Sequence, residues 1–176
     1  MNDIEAYVGS ARPAHIWRGA AVGLVGGVIA AGAMSLGHSV LARLPGLDGA
    51  GPPQAEQGDD ATVKIADVLM HRVLARPLPE DAKPVAGNIV HYAFGGVVGA
   101  LYGAAAELVP RITTGFGLAW GVSVWLGAHV ITVPALGLAE SPARRPLSKE
   151  ASELLLHLLY GVTTELIRRP LPGRSL

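Results

Sequence analysis

Four histidines lie inside apolar stretches of the chain, where an ionisable side chain is costly and usually has a function. Imidazole groups at a common depth could form a metal site, a bis-histidine haem site or a proton-titrating cluster, since histidine titrates near pH 6.5. A carboxylate four residues before the last histidine shares its helix face. We call these five residues the histidine cluster: His38, His91, His129, His157 and Glu153.

A simpler interpretation is that each histidine is a neutral hydrogen-bond partner between helices. The chain has no cysteine nucleophile, no His-Glu-x-x-His zinc motif and no Gly-x-Ser-x-Gly elbow. Ser39 neighbours His38, but adjacent residues of a helix do not face each other. The sequence therefore predicts no catalytic residues and no enzyme.

An internal repeat supplies a second set of polar residues. Leu-Tyr-Gly, three small or β-branched residues and Glu-Leu occur at 101–108 and again at 159–166, each close to basic residues. The repeat places Tyr102 opposite Tyr160 and Glu107 opposite Glu165 in the alignment. We expect the two glutamates to pair with arginines near the lipid headgroups. This predicted charge cluster comprises Glu107, Glu165, Arg111, Arg168 and Arg169. A proton path from these glutamates to the histidines is the alternative.

The histidine cluster and the polar residues of the repeat both lie in apolar stretches that are long enough to cross a membrane. Half of the residues are hydrophobic and only 16% are charged, against roughly 25% in soluble domains. About 20 consecutive apolar residues span a bilayer. We therefore predict an all-α fold, an integral membrane four-helix bundle built from two similar helical hairpins. The predicted spans are about 19–42, 87–109, 115–138 and 151–167. They form a single membrane domain over residues 1–176.

Two polar segments flank the first span. Residues 1–18 are polar and mixed, and residues 43–86 form a polar loop with several turn signals. Within the loop, residues 62–76 have apolar side chains along one face. We expect a short amphipathic helix there, lying on the membrane or across the mouth of the bundle. A cleaved signal peptide is the less favoured reading of the first apolar stretch, which exceeds the length of a signal core.

Glycines four residues apart line three of the predicted spans, at Gly19, Gly23 and Gly27, at Gly95, Gly99 and Gly103, and at Gly117 and Gly121. Small residues at this spacing let helix backbones approach closely in lipid. We favour packing within one chain over a homo-oligomer through one of these stripes. The lipid bilayer is the predicted partner, and a formal net charge of zero argues against nucleic acid.

Three stretches of the chain resemble the YagU family, small bacterial inner-membrane proteins classed as a domain of unknown function. The first runs from His91 to Pro110 and ends Tyr-Gly-Ala-Ala-Ala-Glu-Leu-Val-Pro. The second contains His129-Val-Ile-Thr-Val-Pro, and the third contains Ser152-Glu153-Leu154, His157 and Glu165-Leu-Ile-Arg-Arg. The resemblance implies an inner-membrane location and a link to acid tolerance. It implies no defined activity.

With four spans, both termini lie on one side, which we call the terminal side. The density of basic residues near that side predicts that it is cytoplasmic. All four histidines then lie in the opposite half, which we call the loop side, facing the periplasm. The leading hypothesis is a non-enzymatic protein that responds to external acid through the histidine cluster. A metal- or haem-binding membrane protein and a small oligomeric transporter or channel are the alternatives.

Overall fold

The computed structural model describes residues 13–43, 61–139 and 144–169. These residues are almost entirely helical, and no strand occurs among them. Three helices are long and apolar enough to cross a membrane, His15–Leu41, Glu80–Leu108 and Leu118–Ala135. The all-α prediction is confirmed. The fourth predicted span, 151–167, is helical but is not one of these three, so a four-helix membrane bundle is not confirmed by length and hydropathy.

The first and second predicted spans form helices α1 (Pro13–Leu41) and α3 (Lys83–Leu108). Helix α1 begins before residue 19, so the last part of the predicted polar segment 1–18 is helical, and residues 1–12 lie outside the described part. Pro84 stands in the first turn of α3, where its missing N–H is not needed. The helix ends at Leu108 because Val109 precedes a proline and takes an extended conformation.

Helix α2 (Ala61–Leu74) coincides closely with the predicted amphipathic helix 62–76. It packs across the first turns of α3, where the side chains of Thr62 and Val63 lie against Gly87. Lys64 Nζ donates a hydrogen bond of 2.7 Å to the carbonyl oxygen of Leu138, at the end of the third apolar stretch. Helix α2 therefore lies across the loop-side ends of two helices. Residues 44–60 of the predicted polar loop are outside the described part.

A tight turn on the terminal side leads into the third stretch. A short 3₁₀ helix (Pro110–Thr113) is followed by Gly115, Phe116 and Gly117, with φ angles of 82°, 56° and 81°. Glycine adopts positive φ at little cost, whereas a bulky residue does so rarely. Gly117 must lack a side chain for a second reason, because a Cβ there would overlap the backbone of Gly161.

The third stretch is one helical rod in three parts, α4 (Leu118–Val124), a π-helix (Trp125–Thr132) and α5 (Val133–Ala135). Pro134 lacks an N–H, and its ring would clash with a carbonyl of a regular α-helix one turn earlier. The hydroxyl of Thr132 donates to the carbonyl oxygen of Gly127 at 2.6 Å. The wider π turns thus accommodate the proline without breaking the rod, and they carry His129.

Helix α6 (Leu147–Arg168) begins directly after Pro146 and has an inverted pattern of burial. Its buried residues include Glu150, Ser152, Thr164 and Glu165, whereas Leu155, Leu159, Leu166 and Ile167 are exposed. A helix in water would bury the leucines and expose the glutamates. Two of the charged residues of α6, Glu150 and Glu165, therefore face the protein interior.

The glycine stripes pack the helices against each other within the chain. A Cβ at Gly19, Gly23 or Gly27 would overlap the backbone of Gly103, Gly99 or Gly95, so α1 and α3 run antiparallel in close contact. Gly117 and Gly121 bring α4 equally close to Gly161 and to the carbonyl of His157 on α6. The glycine stripes of these helices thus form close packing contacts within one chain. A contact between copies of the chain would compete for the same surfaces.

The two hairpins make equivalent contacts at equivalent positions. Gly103 and Gly161 follow the tyrosines of the repeat. Gly103 meets Gly19 and Gly23 of α1, and Gly161 meets Gly117 and Gly121 of α4. Helix α1 also packs along α6, where Ala30, Met34, Leu41, Leu156 and Tyr160 form a buried core.

Candidate functional site

On the terminal side, Glu165 is the centre of a buried charged group. Its side chain is fully buried. Arg168 donates from Nε to Oε2 at 2.7 Å and from Nη2 to Oε1 at 3.0 Å, and Arg169 Nε donates to Oε1 at 2.8 Å. The hydroxyl of Tyr102 donates to Oε2 at 2.9 Å. Four donors saturate the carboxylate, which is the condition for holding a buried charge.

The predicted charge cluster is assembled in large part. Glu107 Oε1 lies 4.0 Å from Arg168 Nη1, and the guanidinium of Arg169 lies 4.0 Å from the ring centroid of Phe116. Arg111 is exposed on the 3₁₀ turn. Glu165 departs from the expectation of an interfacial carboxylate, because its side chain points into the helix packing and not toward headgroups.

The two copies of the repeat do not use their polar residues alike. Tyr102 bonds to Glu165 of the other copy, but Tyr160 donates to the carbonyl oxygen of Gly95 at 2.6 Å. The ring of Trp120 lies 5.1 Å from that of Tyr102, so α4 completes the contact between α3 and α6. Trp120 was not among the predicted site residues, since an aromatic residue in an apolar helix carries no signal of its own.

On the loop side, the histidine cluster divides into pairs. His38 Nε2 lies 4.0 Å from Glu153 Oε2, and the rings of His129 and His157 are 5.8 Å apart between centroids. His157 Nδ1 donates to the carbonyl oxygen of Glu153 at 2.7 Å. His157 is also within electrostatic range of the other three histidines. The five predicted residues therefore occupy one region of the protein.

His91 has a structural partner in that region. Its Nε2 lies 3.3 Å from the carbonyl oxygen of Ala31 on α1. A carbonyl only accepts, so Nε2 must carry the proton and donate. His91 thus acts as an interhelical hydrogen-bond donor, joining α3 to α1.

Two residues that the sequence reasoning missed stand at the centre of the loop-side group. Glu150 is buried, with Oε2 3.3 Å from His129 Nε2 and Oε1 3.5 Å from Arg145 Nη1. Among the described residues, neither carboxylate oxygen has a partner with hydrogen-bond geometry. One signal was available in the sequence, because Glu150, Glu153 and His157 are spaced i, i+3 and i+7 on one helix face.

The side chains of the described residues do not converge on a metal. Among residues 13–43, 61–139 and 144–169, no three His, Asp or Glu side chains are grouped so that they could hold an ion. The contacts of His129 and Glu150 run to Arg145, a cation that competes for the same ligand atoms. Metal or haem binding stays a prediction from residue types.

These features define a helical membrane protein with a saturated buried charge on one side and a histidine–carboxylate group on the other. The chain belongs to the family described as Protein of unknown function (DUF1440), whose model matches residues 75–166. The matched region contains α3, the π-helical rod and most of α6. It includes both repeat tyrosines, Glu150 and three of the clustered histidines.

A curated relative agrees with this membership. The chain is 33% identical over 87 residues to Inner membrane protein YagU of Escherichia coli (strain K12), which is 49% of this chain and 43% of the relative. The chain thus spans less than half of that relative's length. No solved structure is significantly similar. The protein is a membrane protein homologous to YagU, as the resemblance of the three sequence stretches predicted.

Proposed function

We propose that the chain is a non-enzymatic inner-membrane protein whose four long helices all cross the bilayer and whose loop-side histidines respond to acid. The inverted burial of α6 supports the fourth crossing. Its exposed leucines suit acyl chains, and its glutamates face the other helices, as ionisable residues do inside membranes. At 22 residues α6 is about 33 Å long, close to the roughly 30 Å of a hydrocarbon core.

The observation that carries the acid response is the closeness of His129 and His157. Their ring centroids are 5.8 Å apart, and Arg145 Nη1 lies 3.4 Å from His129 Nε2. Acid adds positive charge to these two imidazoles in a region where the guanidinium of Arg145 already balances the carboxylate of Glu150, 3.5 Å away. Opening this region separates the charges, so the open form binds protons more readily. Stability should therefore fall as the pH falls.

The proposed orientation places the response toward the outside of the cell. Basic residues stand at the terminal-side ends of three helices, at Arg18, Arg111, Arg168 and Arg169. The loop side carries eight basic residues on longer segments. We take the denser charge of the short terminal-side segments as the part that the positive-inside rule reads, which places the termini in the cytoplasm and the loop side toward the periplasm. External acid reaches that compartment first.

The test removes three histidines together. The thermal midpoint of the purified protein is measured in detergent from about pH 7.5 to about pH 5, across the range in which histidine charges. We expect the wild type to lose stability on acidification and His91→Gln/His129→Gln/His157→Gln to lose much less. A double variant of His15 and His71, which lie outside the cluster, is the matched control. An unchanged acid response in the triple variant would exclude the proposal.

Metal or haem binding can be tested independently of the acid response. Protein purified from membranes would carry the metal in elemental analysis, or a Soret band, and the triple variant would lose it. Transport is separable by flux through reconstituted vesicles. The acid response requires neither of these outcomes.

A further inference from the structure

One nitrogen on the loop side has two incompatible neighbours. His129 Nε2 lies 3.4 Å from Arg145 Nη1 and 3.3 Å from Glu150 Oε2. A guanidinium can only donate, so its contact requires an unprotonated Nε2. An ionised carboxylate can only accept, so its contact requires a proton on Nε2. The two contacts therefore need different proton placements on the same imidazole: the neutral Nδ1–H tautomer accepts from Arg145, whereas the Nε2–H tautomer or the imidazolium donates to Glu150.

We propose that His129 and Glu150 form a proton-operated switch, in which a proton on Nε2 replaces Arg145 as the partner that neutralises Glu150. This inference rests on the proposed acid response and names the residues that carry it. Before protonation, Arg145 donates to His129 and pairs with Glu150, and the three side chains sum to zero charge. After protonation, the imidazolium donates to Glu150 and repels Arg145.

The burial of Glu150 makes the competition strong. Its side chain is 11% exposed, that of Arg145 13% and that of His129 18%. Charges that are shielded from water interact over a low effective dielectric and lose much by remaining unpaired. Within the described part of the chain, the oxygens of Glu150 lack hydrogen bonds of good geometry, so Oε2 gains a donor when Nε2 is protonated.

Arg145 is the member of the group that can leave. His129 is held in the π-helix and Glu150 in the first turn of α6, whereas Arg145 lies between α5 and α6, outside the α-helices. Lys64 of α2 binds the carbonyl of Leu138 in the same connection. Displacement of Arg145 would therefore move the described end of this connection, directly before α6.

The other titratable groups of this region shape the response. They are His38 on α1, His91 on α3, and Glu153 and His157 on α6. His91 and His157 each donate one ring proton to a carbonyl. Glu153 lies near His38 and adds a negative charge. In the contacts described above, no ring nitrogen of His38, His91 or His157 lies between a donor and an acceptor, as Nε2 of His129 does.

The absence of native cysteine permits a direct test. Arg144 is exposed beside Arg145. Arg144→Cys carries a spin label, and label mobility is followed from about pH 7.5 to about pH 5. We expect mobility to rise on acidification. His129→Gln should hold the low mobility at both pH values, and Arg145→Gln should show the high mobility already at neutral pH. His71→Gln, on the exposed face of α2, should respond as the parent does.

Two results would overturn the switch. One is a full acid response in His129→Gln, and the other is low mobility at neutral pH in Arg145→Gln. In Glu150→Gln the label should also be mobile at neutral pH. If this variant does not fold, His129→Gln and Arg145→Gln still test the switch. Suppose that His129→Gln keeps the acid-dependent rise in label mobility while the triple histidine variant loses the acid-dependent fall in its thermal midpoint. Only the switch then fails. If the triple variant keeps its response, the proposed function fails too.

Discussion

Tyr102 of one repeat copy donates a 2.9 Å hydrogen bond to Glu165 of the other copy, joining α3 to α6. The equivalent residues, Tyr160 and Glu107, do not repeat this bond, since Tyr160 donates to Gly95. The duplicated sequence therefore builds one saturated carboxylate and not two. The glycine contacts are equivalent in the two hairpins, whereas the polar contacts differ.

The asymmetry predicts unequal effects of the same substitution at the two glutamates. Glu165→Gln removes the fully buried carboxylate that accepts from Arg168 and Arg169, which should lower the free energy of unfolding by about 3–5 kcal/mol. Glu107 is one-third exposed and 4.0 Å from its arginine, so Glu107→Gln should cost less than about 1 kcal/mol. Denaturant unfolding in detergent measures both. Equal losses would contradict the buried role of Glu165.

The glycine contacts predict a second matched pair. A Cβ at Gly99 would overlap the backbone of Gly23 and Gly27, whereas a Cβ at Gly127 would meet nothing within 4 Å. Gly99→Ala should therefore destabilise the protein by about 1–3 kcal/mol through forced separation of α1 and α3. Gly127→Ala should be nearly neutral. Thermal unfolding of the two variants is the measurement, and a loss confined to Gly127→Ala would refute this packing.

The proposed crossing by α6 predicts a pattern of thiol labelling in a chain without native cysteine. Cysteine at Leu155 or Leu159, both exposed, should resist a membrane-impermeant maleimide in intact vesicles, because acyl chains cover these positions. Cysteine at Ser148, exposed at the loop-side end, should react from the periplasmic face only. Labelling of Leu159→Cys from the aqueous phase would place α6 outside the bilayer. Labelling of Ser148→Cys from the cytoplasmic face would reverse the orientation.

The positions of the helices could be predicted from the sequence because hydropathy and helix breakers act locally. Pro110 ends α3 and the glycines at 115 and 117 start the next rod, whatever those segments pack against. The predicted helix 62–76 corresponds to Ala61–Leu74 for the same reason. The π-helix around His129 was not predicted, although Pro134 alone indicates a local disturbance.

The partners of the polar residues could not be predicted in the same way. Residue type and spacing identified the histidines, the repeat tyrosines and the charged ends. They left out Glu150 and Arg145, because a glutamate beside Pro146 and an arginine in a connection resemble ordinary solvated charges. Their burial depends on the rotation of α6 and on the approach of the rod, which involve residues far apart in the chain.

The sequence by itself thus determined a helical membrane protein of the YagU type, with a duplicated hairpin and histidines near one end. Only the tertiary structure decided that Tyr102 bonds to Glu165, that His91 is held by Ala31, and that one nitrogen of His129 lies between Arg145 and Glu150. The physical reason is that helix formation follows from consecutive residues, whereas a hydrogen bond between helices requires their relative rotation and depth to be set to within about an ångström.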